Sequence, residues 1–259
     1  MKHCIKVAIM SLLVMLLAGV GCQQSNALMK PAGKGMQMNP GGTGRAAVPI
    51  RILLTGDSLM ESLGPQMKKA AAGYENITMI PIGKRSTGLS RPDYYNWPAV
   101  LEANLQEHRP QIVVMWVGTN DPQGIHGMKG LGEPCSAKWM KAYAGKILEI
   151  VNLCKKYRAR IIFMSPPVMD EEPLDSQLAR ITGLMQRICS YYKLGFINTR
   201  TILADSDGKY RHTALMPNGR MATIRWKDRV HITGDGNRLV MDKLMPYMGA
   251  MIRDGGTQR

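Results

Sequence analysis

Acidic residues are scarce in this sequence. Its 259 residues include 34 lysines and arginines but only 19 aspartates and glutamates, which gives a formal net charge of +15. The basic residues are scattered and follow no recognisable nucleic-acid-binding module, so no nucleic acid partner is expected. An acidic polymer of the cell envelope would suit this charge, and so would a general bias towards basic residues; composition leaves both interpretations open.

Cysteine is also sparse, and two of the five cysteines lie within the first 22 residues. If those two belong to a leader, Cys135, Cys154 and Cys189 remain, and they allow at most one internal disulfide. No pair of cysteines has the spacing of a metal site, so a structural zinc ion is not expected.

Long apolar runs are missing beyond the N-terminus, and no later segment is predicted to cross a membrane. Lys2 and Lys6 come before an uncharged run, Val7–Val20, which is typical of an export signal. Cleavage after Ala27 would give a soluble exported protein. Alternatively, Cys22 would be the acylated residue of a lipoprotein, which adds a lipid anchor to the membrane. The chain is therefore expected in the periplasm or lipid-anchored in the cell envelope.

The rest of the chain divides by composition. Residues 28–49 are rich in glycine, proline and methionine and predict a flexible linker. Residues 50–254 predict one folded domain, and residues 255–259 a short tail. The domain alternates five strand-like runs, Ile50–Thr55, Ile77–Ile82, Ile112–Val117, Arg160–Met164 and Gly195–Thr199, with helix-like runs, Leu59–Ala72, Trp97–Glu107, Ala137–Tyr157, Pro173–Tyr192 and Asp235–Ile252. This alternation predicts an α/β fold with a parallel sheet, whose ligands bind beyond the carboxyl ends of the strands.

The first predicted strand ends at Gly56, Asp57 and Ser58, immediately before a helix. A sharp turn there places the Ser58 hydroxyl beside the unpaired N–H groups of a helix N-terminus. Such a position favours a developing negative charge, as a nucleophile requires. Ordinary turn and helix-capping chemistry uses the same residue types, so the tripeptide alone is only a hypothesis.

Two further loops and the C-terminal region carry residues that would complete a site. After the second strand come Gly83 and Gly88, where a backbone N–H can closely approach a ligand. After the third strand, the side-chain amide of Asn120 can donate to an oxyanion. Near the C-terminus, Asp228 and His231 are three residues apart, so that in a turn Asp228 can accept the Nδ1 proton and Nε2 can deprotonate the serine. Taken alone, the Asn120 motif is more typical of an ordinary turn, and the Asp228 and His231 pair of solvated surface side chains.

Together, Gly56-Asp57-Ser58-Leu59, Gly118-Thr119-Asn120-Asp121 and Asp228-Arg229-Val230-His231 stand in the order and spacing of the SGNH (GDSL) hydrolase superfamily, which this sequence resembles over about residues 50–254. The segment Ser86–Pro98 is similar to an exported bacterial branch of that superfamily. The resemblance implies a flavodoxin-like three-layer α/β/α sandwich with a central parallel five-stranded sheet. It also implies serine esterase or acyltransferase chemistry with no metal or other cofactor.

The resemblance assigns roles to individual positions. Ser58 matches the nucleophile, His231 the base and Asp228 its orienting acid. The oxyanion hole would consist of the Ser58 N–H, the Asn120 side chain and the N–H of Gly88 or Gly83, with Gly88 preferred. Arg91, Tyr94 and Trp97 would either line a sugar-binding cleft or brace their loop.

The implied substrate is an acylated carbohydrate or another ester, and the family's habits favour O-acetyl groups on cell-envelope polysaccharide. Water as the acceptor gives an esterase. A sugar hydroxyl as the acceptor gives a polysaccharide or peptidoglycan O-acetyltransferase, which would need a membrane acyl-donor partner. A third interpretation is a non-catalytic envelope binding protein on the same scaffold.

Overall fold

Five parallel strands form the central sheet of the computed structural model, which describes residues 49–256. The strands are β1 (Ile50–Gly56), β2 (Ile77–Gly83), β3 (Ile112–Trp116), β4 (Arg160–Met164) and β5 (Gly195–Ile197), in the order β2-β1-β3-β4-β5. The predicted leader with Cys22, residues 28–48 of the predicted linker, and residues 257–259 of the predicted tail lie outside the described residues.

Helices alternate with these strands. They are α1 (Ser58–Ala71), α2 (Trp97–His108), α3 (Ala137–Lys156), α4 (Leu174–Tyr192), the short α5 (Thr199–Leu203) and α6 (Gly234–Gly256). Every residue of β3 is buried, as expected for a central strand covered on both faces. The predicted parallel five-stranded α/β/α sandwich is therefore confirmed.

The region between β5 and α6 differs from the prediction. The fifth strand ends at Ile197, two residues early, because the Asn198 side chain accepts a hydrogen bond from the Arg200 N–H and starts α5. A two-stranded antiparallel hairpin follows, made of β6 (Thr213–Leu215) and β7 (Met221–Thr223). Strands of three residues are too short to leave a clear alternating pattern in the sequence.

Helix α6 is joined to helix α1 by a hydrogen bond and by packing in the core. The Asn237 Nδ2 donates to Ser62 Oγ at 2.9 Å, which joins the start of α6 to the second turn of α1. Asn237 is completely buried, and Val240 and Leu244 of α6 belong to the same apolar core as Leu63 of α1. This contact carries the segment before α6 to the carboxyl end of β1, where Ser58 lies.

Candidate active site

Ser58, His231 and Asp228 form a continuous chain of hydrogen bonds. His231 Nε2 lies 3.0 Å from Ser58 Oγ, although the two residues are 173 positions apart in the sequence. On the other side of the ring, His231 Nδ1 lies 2.7 Å from Asp228 Oδ2. The predicted convergence of Ser58, His231 and Asp228 is present, with the imidazole between the hydroxyl and the carboxylate.

Asp228 is set up to remain ionised. Burial works against its charge, but the backbone N–H groups of His231 and Val230, both 2.9 Å from Oδ1, and the His231 imidazole outweigh it and lower the pKa of Asp228. An ionised carboxylate only accepts hydrogen bonds, so His231 Nδ1 must carry the proton that lies between them. In the neutral form of this ring, Nε2 has a lone pair towards the Ser58 hydroxyl, which is the arrangement a general base needs.

The turn before Ser58 is shaped by close contact between β1 and β3. Gly56 has φ +146°, and a Cβ there would lie 2.0 Å from the Trp116 carbonyl oxygen, so only glycine fits. The Asp57 N–H donates to that same oxygen at 2.9 Å, and its carboxylate caps α1 by accepting from the Leu59 N–H. Ser58 is therefore the first helical residue, where backbone N–H groups have no partner within the helix.

The carboxyl group of Asp57 should make stability depend on pH. Complete burial, with a smaller contribution from the nearby Asp121 carboxylate, raises the pKa of Asp57 from 3.8 to about 7. The folded state thus holds this proton more tightly than the unfolded state, and the free energy of unfolding should fall as pH rises from about 4 to about 7. Asp57→Asn keeps the acceptor for Leu59 but cannot ionise. As pH increases from 4 to 8, the free energy of unfolding of the Asp57→Asn protein should rise relative to that of wild type by up to about 4 kcal/mol.

Urea unfolding of both proteins at several pH values measures this difference. Asp207→Asn, in an exposed turn, is the matched control and should follow wild type. If Asp57→Asn shows the same pH dependence as wild type, Asp57 does not carry a raised pKa.

The loop that bears Asp228 is supported by buried and exposed arginines. Arg225, completely buried, donates from Nη2 to the carbonyl oxygens of Val168 and Arg229. Arg229, with φ +61°, reaches back and pairs with Asp170 at 2.6 Å. Val168 and Asp170 belong to the loop after β4. Through Arg225 and Arg229, that loop holds the loop that bears Asp228 in place.

Asn120 and Asp121 connect the loops that follow β2 and β3. Asn120 Nδ2 donates to the Thr87 carbonyl at 2.9 Å, and Asp121 Oδ1 accepts from the Ser90 N–H at 2.7 Å. A Cβ at Gly88 would lie 2.4 Å from the same Asp121 oxygen, which requires glycine at that position. The Gly88 backbone is thereby held in one hydrogen-bonded unit with the Asn120 amide.

The two candidate glycines of the oxyanion hole lie in different surroundings. Gly83 is the last residue of β2, paired with Gly56, and it packs against the backbone of Met60 and Glu61 in the first turn of α1. Gly88 lies in the loop attached to Asn120. The arrangement of the loops thus supports the preference for Gly88, and the assignment of the oxyanion hole stays a prediction.

The three weaker candidates have different surroundings. Tyr94 is 61% exposed, and Arg91 forms an exposed ion pair with Asp93 at 2.7 Å. Trp97 is completely buried and donates from Nε1 to Thr87 Oγ1 at 3.0 Å. Of the two alternatives predicted for Trp97, its buried indole fits the second, a side chain that braces its loop from inside.

Sequence reasoning missed the residues that support the site from behind. Tyr143 donates from its hydroxyl to Asp121 Oδ2 at 2.7 Å, and both residues are completely buried. Burial, foremost, and the neighbouring Asp121 carboxylate raise the pKa of Tyr143 well above 10. A tyrosine at a helical core position gives no sequence signal of such a bond. A buried arginine such as Arg225 gives none either, since arginine is usually exposed.

Cysteine, metal and membrane predictions can be compared with the described part of the chain. Cys135, Cys154 and Cys189 are buried with free thiols. Within residues 49–256, no group of three or more histidine, cysteine or acidic side chains is arranged to hold a metal ion. None of the helices described has the length and apolar character needed to span a membrane.

Comparison with known proteins places the chain in context. A family model described as "Protein of unknown function (DUF459)" matches residues 51–247. A search of curated proteins finds no match.

Several solved structures resemble this fold. A GDSL-like lipase from Bacteroides thetaiotaomicron VPI-5482 is 18% identical with a TM-score of 0.56, covering 78% of this chain and 88% of that one. The acetyl xylan esterase AlAXEase is 16% identical with a TM-score of 0.58, covering 76% and 99%. The psychrotrophic esterase EstA from Pseudoalteromonas sp. is 16% identical with a TM-score of 0.53, covering 78% and 98%. The predicted SGNH (GDSL) fold is thereby confirmed.

Proposed function

Because this chain belongs to the DUF459 family and has the SGNH fold, we propose that it is a serine-dependent acyl-ester hydrolase that removes O-acetyl groups from cell-envelope carbohydrate. The observation that carries this proposal is the chain of hydrogen bonds from Ser58 through His231 to Asp228. A hydroxyl, a neutral imidazole with a free Nε2 and an ionised carboxylate, in that order, are the parts of a serine hydrolase.

The proposed reaction begins when His231 Nε2 takes the Ser58 proton and Oγ attacks the acetyl carbonyl carbon. The negative charge that develops on the carbonyl oxygen is stabilised by the N–H groups of Ser58 and Gly88 and by the Asn120 amide. The C–O bond to the sugar breaks, and His231 returns its proton to the sugar oxygen. This leaves acetyl-Ser58.

Water then attacks the acetyl carbon while His231 takes one of its protons. The bond to Ser58 Oγ breaks, His231 gives that proton to Oγ, and the product leaves as acetic acid, which ionises to acetate. The openness of the site favours water as the acceptor over a sugar hydroxyl. The side chains of His231 and Asp228 are 43% and 50% exposed, so bulk water reaches the imidazole directly. A transferase must instead protect its acyl-enzyme from hydrolysis.

Three further points support the choice of acetylated carbohydrate. One of the structural relatives is an acetyl xylan esterase, which shows that this fold serves such a substrate in another protein. The sequence before residue 28 predicts export, which would bring the site to envelope polysaccharide. A basic chain of net charge +15 also suits an acidic polymer.

Acetate release together with intact mass of the protein tests the proposal. Incubation with an activated acetyl ester should give a transient mass increase of one acetyl group, about 42 Da, on a peptide that contains Ser58. Acetylated xylan or O-acetylated peptidoglycan should then yield free acetate. Transfer of the acetyl group from Ser58 to an added glycan, instead of to water, would identify an acetyltransferase. Failure to form acetyl-enzyme or release acetate from any ester would contradict hydrolase activity.

A further inference from the structure

Trp226 is the exposed member of a set of four tryptophans. Trp97, Trp116 and Trp139 are completely buried, whereas Trp226 is 58% exposed. An indole is among the most apolar surfaces a protein can leave in water, although single exposed apolar residues are common. The meaning of this exposure therefore depends on where the indole lies.

The backbone places Trp226 beside His231. Arg225 and Ile232 form an antiparallel bridge, and the Trp226 N–H donates to the His231 carbonyl at 2.9 Å. Opposed residues of an antiparallel pair have their side chains on the same face, and successive residues alternate between faces. Arg225 and Ile232 are both buried, so Trp226 and His231 share the opposite, outward face.

The triad lies at the protein surface. The side chains of His231 and Asp228 are 43% and 50% exposed. Surface side chains beside the triad can therefore contact a substrate whose ester lies at Ser58.

A flat aromatic ring suits a sugar ring in such a place. The face of a pyranose that carries axial C–H groups is apolar and weakly positive, and the face of an indole is apolar and weakly negative. Packing the two removes both from water without requiring a hydrogen-bond partner. Binding energy gained there, away from the reacting ester, helps to orient the ester at Ser58.

We propose that Trp226 is a substrate-binding residue on which one pyranose ring of an acetylated glycan stacks, placing its ester at Ser58. This inference rests on the proposed function, since it names the substrate class that the same site takes. It also identifies a specificity-determining position outside the motifs from which the site was predicted.

The test uses the Ser58→Ala protein, so that binding is measured without turnover. The probes are partially acetylated xylotetraose and an O-acetylated peptidoglycan disaccharide. Their binding is measured by nitrogen-15 NMR of the four indole N–H groups. The signal lost in Ser58→Ala/Trp226→Phe identifies Trp226. That signal should move on titration, and Trp226→Ala should weaken binding of the better probe by about fivefold or more. Trp226→Phe should restore part of the loss.

Tyr191→Ala provides the matched control. Tyr191 is 49% exposed in the last turn of α4, at the amino edge of the sheet, and its loss should not change glycan binding. With active protein, Trp226→Ala should lower kcat/KM on the acetylated oligosaccharide, mainly through KM, by a larger factor than on ethyl acetate.

The outcomes separate the two proposals. If wild type hydrolyses esters but the Trp226→Ala substitution does not weaken glycan binding in the Ser58→Ala protein, stacking on Trp226 is refuted and the proposed hydrolase activity stands. If neither probe binds, stacking on Trp226 is refuted as well. If a probe binds through Trp226 but wild type releases no acetate from any ester, stacking on Trp226 stands and the proposed hydrolase activity is refuted.

Discussion

Ester hydrolysis should disappear when Ser58 is replaced by alanine. The substitution removes the atom that forms the covalent intermediate, and the oxyanion donors alone retain only residual acceleration. We expect kcat on p-nitrophenyl acetate to fall by a factor on the order of 10⁵. The fold should be unaffected, because the lost hydroxyl lies at the start of α1 and its hydrogen-bond partner is the imidazole, which can turn to water.

Circular dichroism and thermal unfolding check that the Ser58→Ala protein is folded. Ser190→Ala, an exposed serine in the last turn of α4, is the matched control and should keep full activity. If folded Ser58→Ala hydrolyses the ester at the wild-type rate, Ser58 is not the nucleophile.

Replacement of Asp228 by asparagine should also reduce kcat strongly, although less than the loss of Ser58. The asparagine Oδ1 can still accept the N–H groups of Val230 and His231, so the turn should keep its shape. Its Nδ2, however, is a donor, and it would face His231 Nδ1 and stabilise the tautomer with the proton on Nε2. That tautomer has no lone pair towards Ser58, and we expect kcat to fall on the order of 10³- to 10⁴-fold.

Nitrogen-15 NMR of the imidazole reports the tautomer directly and separates this effect from a distorted loop. Asp170→Asn is the matched control, because it weakens the exposed Arg229 ion pair of the same loop without changing the partner of Nδ1. A small loss of rate in Asp170→Asn and a large loss in Asp228→Asn would support the assignment. Near-wild-type activity of Asp228→Asn would rule out Asp228 as the orienting acid.

The alternation of strands and helices was readable from the sequence, because periodicity and capping act locally. β4 has its predicted bounds, and the other sheet strands and the long helices begin and end within a few residues of theirs. The Ser58 and Asn120 motifs follow β1 and β3, and parallel strands bring their carboxyl ends to one edge. His231 follows no strand of that sheet. Its meeting with Ser58 across 173 positions was therefore predicted by the resemblance and not by the strand pattern.

The surroundings of individual side chains were decided by the tertiary structure. Trp97 and Trp226 are the same residue type, each beside a motif of the site, yet one is completely buried and the other 58% exposed. Burial depends on which distant segments pack against a position, and a single sequence does not encode that pattern locally. For the same reason, the Tyr143–Asp121 bond and the Arg225 contacts beneath the Asp228 loop became visible only in three dimensions.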